Sequence, residues 1–227
     1  MMARASALPS LGDDGESIPM QRFFPWLYDS VMTRAERLAI GPWRRAVVER
    51  AKGLVLEIAS GTGLNFVYYP AGTTIIATDV DERMLARARA RADASSATVI
   101  LVVADAQALP LRAGVFDSAV AGLAMCTIPA PSLALGELQR VLRDNGSVLM
   151  LEHVRSTSTV VGRLQDWATP LWQRVAGGCR LNERTVERVA AAGFRLDSLE
   201  SHRPEYVVTI VARKRCARHP PGAEPEG

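Results

Sequence analysis

Leu54-Val55-Leu56-Glu57-Ile58-Ala59-Ser60-Gly61-Thr62-Gly63-Leu64-Asn65 decides how the rest of the chain is read. The apolar run Leu54 to Ile58 predicts a short buried strand, small residues make a tight turn, and Leu64 opens a helix. Gly61 and Gly63 carry no Cβ, so the backbone can bend sharply there and come close to a ligand. In an open α/β sheet such a turn lies outside the carboxyl end of a strand, where ligands bind. A nucleotide-like cofactor is the first expectation.

Details of the turn choose the cofactor. A dinucleotide fingerprint wants Gly-x-Gly-x-x-Gly or Ala, and here the last place is Phe66, too bulky for close helix–strand packing. Glu57 stands inside the strand, four residues before Gly61. Its carboxylate suits the backbone N–H groups of the turn or a ligand's ammonium group, and it suits pyrophosphate badly. Glu57-x-x-x-Gly61-x-Gly63 resembles motif I of the class I S-adenosylmethionine (SAM) methyltransferases. The plain alternative is a strand–turn–helix with no ligand.

The chain has 227 residues, 48% of them hydrophobic, enough for one domain with a core. Its net charge is only +3, and the four cationic residues Arg213, Lys214, Arg215 and Arg218 of the tail exceed that, so a nucleic-acid partner is not expected. Cys126, Cys179 and Cys216 are widely spaced and odd in number, which predicts neither a disulfide framework nor a metal site and fits a reducing, cytoplasmic setting. Residues 1–19 read as a disordered N-terminal arm without the apolar core of a signal peptide, and no run approaches the ~20 residues of a membrane span. Peripheral membrane contact stays open, because residues 20–52 predict an amphipathic helical cap rich in aromatic and basic side chains.

Further strands are expected at Thr74–Asp79, Thr98–Val103, Phe116–Gly122 and Ser147–Val154, with helices at Glu82–Ala92 and Ser132–Leu142. Asp81 is the expected N-cap of the first of these helices. Residues 155–181 read as an irregular substrate cap holding Trp167, Pro170 and Trp172. Asn182 is expected to cap a helix that Gly193 stops, and Phe194–Ser201 with Tyr206–Ala212 form a hairpin. Residues 214–227 read as a disordered tail.

Asp79 lies 16 residues beyond Gly63, where an acid can accept both hydroxyls of a ribose. Asp105-Ala106, followed by Leu109-Pro110, resembles a run in the ubiquinone/menaquinone methyltransferases. That resemblance implies that Asp105 accepts from the adenine amine and that the Ala106 N–H donates to a ring nitrogen. Tyr28-Asp29 resembles a pair in the same group whose tyrosine approaches the methionyl end of SAM. Together the resemblance assigns to SAM the residues Tyr28, Glu57, Ala59, Gly61, Gly63, Asn65, Asp79, Val80, Met84, Asp105, Ala106 and Leu123. No metal is implied.

Residues 147–193 add a narrower likeness: Leu-Glu-His-Val-Arg, paired tryptophans, then Gly-Gly-Cys-x-Leu-Asn-x-x-Thr resemble thiol methyltransferases and bacterial phosphatidylethanolamine N-methyltransferases. His153, at the exit of the fifth strand, is the candidate base. Neither an Asn/Asp-Pro-Pro-Tyr motif nor a Pro-Cys nucleophile occurs, which argues against base methylation. The implied fold is α/β and Rossmann-like: a seven-stranded, mostly parallel sheet with an antiparallel C-terminal hairpin strand and helices on both faces, over residues 20–213. The implied activity is methyl transfer to a small, apolar acceptor such as a lipid amine, thiol or quinol. The alternatives are a degenerate SAM-binding module and an NAD(P)-dependent reductase.

Overall fold

The computed structural model describes residues 40–176, 178–202 and 205–215. Tyr28, most of the helical cap, the N-terminal arm and the tail from Cys216 lie outside the described residues.

The sheet is built around β1 (Leu54–Ile58). Val55, Leu56 and Ile58 are wholly buried, because a parallel central strand is covered on both faces and carries an unbroken apolar run. β2 (Thr74–Asp79) and β3 (Thr98–Val103) lie on one side of it. On the other side are β4 (Phe116–Gly122), β5 (Leu142–His153), β6 (Arg195–His202) and β7 (Val207–Arg213). The strand order is β3-β2-β1-β4-β5-β7-β6. β7 is antiparallel to both β5 and β6, and every other neighbouring pair is parallel. The order reverses between β1 and β4, which opens a crevice outside the carboxyl ends of those strands.

Helices cover both faces. α1 (Gly41–Val48) and α2 (Glu82–Asp93) cover one, where Val47, Val48, Val55, Phe66, Ile75 and Leu149 pack together. α3 (Pro131–Val141) and α5 (Thr185–Ala191) cover the other, over Leu56, Met125, Leu135, Leu138, Met150 and Ile210. Asp81 caps α2 as its sequence predicts, accepting from the Arg83 N–H.

Four local expectations are corrected. No α-helix opens at Leu64; a single 3₁₀ turn covers Phe66–Tyr68. Gly61 and Gly63 stand at φ +55° and +79°, left-handed angles that break a helical start, and Phe66 turns inward and is fully buried. A Cβ on Gly63 would lie 2.5 Å from the Phe66 ring, so this glycine makes room for the aromatic residue that displaces the dinucleotide fingerprint. β5 starts at Leu142 rather than Ser147: Phe116 pairs with Leu142, pairing lapses over the excursion at Asn145-Gly146, then resumes at Ser118 with Ser147. Residues 155–181, expected to be irregular, contain the long helix α4 (Thr159–Val175) with Pro170 inside it. α5 starts at Thr185, because the Asn182 side chain does not cap it but donates to Asp166 Oδ1 at 3.0 Å.

Candidate active site

A cavity of about 650 Å³ lies at the carboxyl ends of β1, β2, β3 and β4. Ala59 and Leu123, the residues that leave β1 and β4, both line it. Both adopt left-handed angles, φ 47° and 59°, which non-glycine residues hold only where the surroundings impose them. These two bends turn the chain away from the sheet on either side of the switch point and leave the crevice between them.

Glu57 projects into the cavity from β1 and is 1% exposed. Asn65 Nδ2 donates to one of its oxygens at 3.0 Å and the Tyr69 hydroxyl to the other at 2.5 Å. Arg44, also buried and lining the cavity, donates to Asn65 Oδ1 at 2.6 Å. Burial pushes the Glu57 carboxyl up to about 7, against the pull of the Tyr69 hydrogen bond and the Arg44 charge. A Cβ on Gly122 would lie 2.7 Å from the Arg44 guanidinium and 3.1 Å from the Asn65 amide, so that glycine makes space for this network. The turn N–H groups do not go to Glu57. The Gly61 N–H donates to Asp79 Oδ2 at 2.8 Å and the Asp81 N–H to Oδ1 at 2.9 Å. Asp79 thereby orders both the glycine turn and the start of α2, and burial raises its carboxyl above the usual value.

Val80, Met84, Asp105 and Ala106 complete the far wall. Asp105 accepts from its own neighbour, the Gln107 N–H at 2.8 Å and the Gln107 amide at 3.0 Å. Gln107 also lines the cavity, and its Oε1 accepts from the Ala130 N–H at 2.9 Å. Gln107 and Arg44 are lining residues that the motifs did not single out. Gly63 is not a lining residue; it serves the packing of Phe66.

The wall nearest α3 is the loop that leaves β4, through Thr127, Ile128 and Pro129. Two groups shape it, one buried and one half-buried. Glu152 is fully buried, and its Oε1 accepts from the N–H groups of Ala124 (3.1 Å) and Met125 (3.2 Å). Its Oε2 has no partner among the described residues, and burial pushes the carboxyl up to about 8. From beyond α4, Arg180 donates to the carbonyls of Met125 (3.0 Å), Ile128 (2.7 Å) and Pro129 (3.4 Å), while its own N–H reaches Cys126 O at 2.8 Å. Glu183 holds that guanidinium at 2.9 Å.

His153 does not line the cavity. Neighbouring residues of a strand face opposite ways, so Glu152 under the loop sends His153 to the other face. There it meets Tyr206 edge-on, with ring centroids 5.2 Å apart. Burial lowers its pKa, so the imidazole is neutral near pH 7. Glu152 and His153 are adjacent in the sequence, and strand parity is the signal that separates them.

Cys126 and Cys179, 53 residues apart, bring their sulfurs to 3.4 Å as free thiols. The contact with Cys126 holds Cys179 down at about 7 against burial, while Cys126 is pushed well above the thiol range. At pH 7.5 iodoacetamide should therefore alkylate Cys179 well before Cys126. Timed peptide mapping checks this, and equal rates would contradict it.

The methyltransferase domain family matches residues 56–150, which span β1 to β5. With the crevice at the switch point and the carboxylates at the ends of β1 and β2, residues 56–150 are similar to a methyltransferase domain. Among its relatives, the human thiol S-methyltransferase TMT1B is 27% identical over 194 residues, covering 80% of this chain and 79% of that protein. Phosphatidylethanolamine N-methyltransferase of Cereibacter sphaeroides is 31% identical over 121 residues, 52% of this chain and 60% of that one. A solved SAM-dependent methyltransferase from Thermotoga maritima superposes with a TM-score of 0.63 over 86% of this chain and all of that one, at 22% identity. The [4+2]-cyclase SpnF shares the fold equally well, with a TM-score of 0.63 over 81% of this chain and 82% of that one, at 19% identity. Architecture alone therefore does not decide the reaction.

Proposed function

We propose that the cavity holds SAM with Asp79 on the ribose, Asp105 and Ala106 at the adenine, Met84 and Val80 against its faces, and Glu57 with Asn65 at the amino-acid end. The donor set fits: the zwitterionic tail meets a buried carboxylate–amide–guanidinium network, and the ribose end meets an acid already fixed by two backbone N–H groups. SAM supplies an electrophilic methyl group when bound. The chain supplies position and exclusion of water, which alone can be worth effective molarities of ~10⁵ M and above. Asp105 must exchange the Gln107 amide for the adenine amine, and Gln107 keeps its hold on Ala130.

The acceptor we infer is a small, apolar thiol. The observation that carries this is the chemistry of the wall made by Leu123, Thr127, Ile128 and Pro129: it is apolar apart from one hydroxyl, and no histidine lines the cavity among the described residues. An acceptor that reaches its nucleophilic form unaided suits such a wall. A thiol of cysteine-like acidity, ~8.5, does so more readily than a tyrosine-like phenol or a lysine-like ammonium. Arg174, at the rim, favours an anionic thiolate further. The long match to a thiol S-methyltransferase supports the same class. A lipid amine is the second reading, favoured by the exposed apolar side chains of α4 beside the cavity.

Methyl transfer from labelled SAM to an alkanethiol, phosphatidylethanolamine, a demethylated quinol and a phenol, with SAM binding measured by calorimetry in the same preparation, tests the reading. Label in the thiol is expected. SAM binding with label only in another member would overturn the acceptor class, and failure to bind SAM would overturn the site. In the same assay His153→Ala should keep SAM affinity and turnover within about threefold of the parent, since it reaches neither cavity nor lining. A hundredfold fall in turnover would restore it as a base.

A further inference from the structure

α4 is inside out. A surface helix normally turns its apolar stripe to the core. Here the inward side consists of Gly162, Gln165 and Thr169, all buried. They are held by polar contacts: Gln165 Oε1 accepts from the Ser156 N–H at 2.7 Å, its amide donates to Val154 O at 3.2 Å, and the Thr169 hydroxyl donates to Gln165 O at 2.7 Å. The outward side carries Val160 (78% exposed), Leu164 (61%), Trp167 (79%) and Leu171 (66%). Their spacing of four, three and four residues makes one continuous stripe. Trp167, Ala168, Leu171 and Trp172 frame an apolar cleft of about 310 Å³ on that face. Contiguous exposed apolar surface of this kind marks an interaction site.

The charges beside the stripe say what covers it. At 100° per residue, Arg163 and Arg174 fall along one edge of it, next to Trp167. The single acid of α4, Asp166, is neutralised by Arg155 at 2.8 Å. An apolar stripe with tryptophan and a cationic edge complements a surface that is hydrocarbon below and anionic above. The stripe runs about 16 Å along the helix, long enough to lie in a bilayer interface and far too short to cross one. No helix among the described residues is long and apolar enough to cross a membrane. Arg174 and the following Ala176 also line the cavity, so the stripe ends at the cavity mouth.

We propose that α4 docks this methyltransferase in the plane of an anionic lipid bilayer, with the cavity mouth opening at the headgroup level where apolar acceptors partition. This rests on the site reading above only for what enters the mouth; docking itself is read without any acceptor. The test is co-flotation of the full chain with phosphatidylcholine vesicles containing about one-third phosphatidylglycerol, against pure phosphatidylcholine. Binding to the anionic vesicles is expected, weakened severalfold by Arg163→Glu or by raised salt. The surface variant Leu164→Ser/Trp167→Ser/Leu171→Ser should lower the bound fraction at least about tenfold while keeping SAM affinity by calorimetry. Retained flotation of that variant would move the contact elsewhere on the chain and overturn the proposal, as would equal binding to neutral vesicles. A parent dimer in lipid-free buffer that the triple variant dissolves would assign the stripe to a second copy and overturn it too. Loss of SAM binding in the parent, with flotation intact, would strike the site reading alone.

Discussion

Asp79→Ala should raise the dissociation constant for SAM by about a hundredfold or more while the protein stays folded. Charge-assisted hydrogen bonds are worth about 1.5–3 kcal/mol each, the ribose offers two hydroxyls, and every 1.4 kcal/mol is tenfold in affinity. The substitution acts twice. It removes the acceptor proposed for the ribose, and it frees the N–H groups of Gly61 and Asp81 that the carboxylate holds at 2.8 and 2.9 Å, so the glycine turn loses its fixed shape. Asp79→Asn keeps the size and one acceptor oxygen and should lose less. Calorimetric titration with SAM, beside a thermal melt of each variant, separates binding from folding. An unchanged affinity in Asp79→Ala would remove Asp79 from the cofactor site.

A second large effect should appear in the pH dependence of stability. Glu152 stands at about 8 and Glu57 at about 7 in the folded chain, against a usual 4.5. A carboxyl whose folded pKa is raised binds its proton more tightly in the native state. Its contribution is fully present below the unfolded value and is lost as pH climbs through the folded one. Stability should therefore fall between about pH 4.5 and 8, each group adding a slope of up to about 1.4 kcal/mol per pH unit. For a chain of this size 1 kcal/mol is ~2–4 °C in melting temperature. The melting temperature at pH 8 should lie several degrees below that at pH 5.5. Glu152→Gln keeps an acceptor for the Ala124 and Met125 N–H groups, cannot ionise, and should remove much of the slope. A flat profile in the parent would show that both carboxyls titrate normally.

The half of the sheet that carries the cavity was legible because its signals are local. Strand β1 is an apolar run bounded by a glycine turn, β2 and β3 end in or just before carboxylates, and Asp81 caps α2 where a short acid should. Glu57, Ala59, Gly61, Asn65, Asp79, Val80, Met84, Asp105, Ala106 and Leu123 all line the cavity. Arg44 and Gln107 were not legible, since one reaches Asn65 across 21 residues and the other acts by bridging Asp105 to Ala130. α4 was missed for a different reason. Its polar residues face the protein and its apolar ones face out, and Pro170 interrupts the run, so helical periodicity pointed to no buried face. His153 was the candidate base on chemical type, whereas β5 places Glu152, not His153, beneath the β4 exit loop.

The side chain of Arg180 makes the β4 exit loop and the segment after α4 one mechanical part. The carbonyls of Met125, Ile128 and Pro129 end on its guanidinium and that of Cys126 on its N–H. Separating the two segments would strand these acceptors at once, each at a desolvation cost of about 1–3 kcal/mol where it stays buried. The acceptor wall proposed above is thus built from two stretches that are distant in the chain and inseparable in space. A graft of residues 155–181 from a relative into this scaffold would carry the wall of one enzyme on the bracket of another. A chimera that moves residues 123–130 and 176–184 together is the unit in which selectivity can be exchanged.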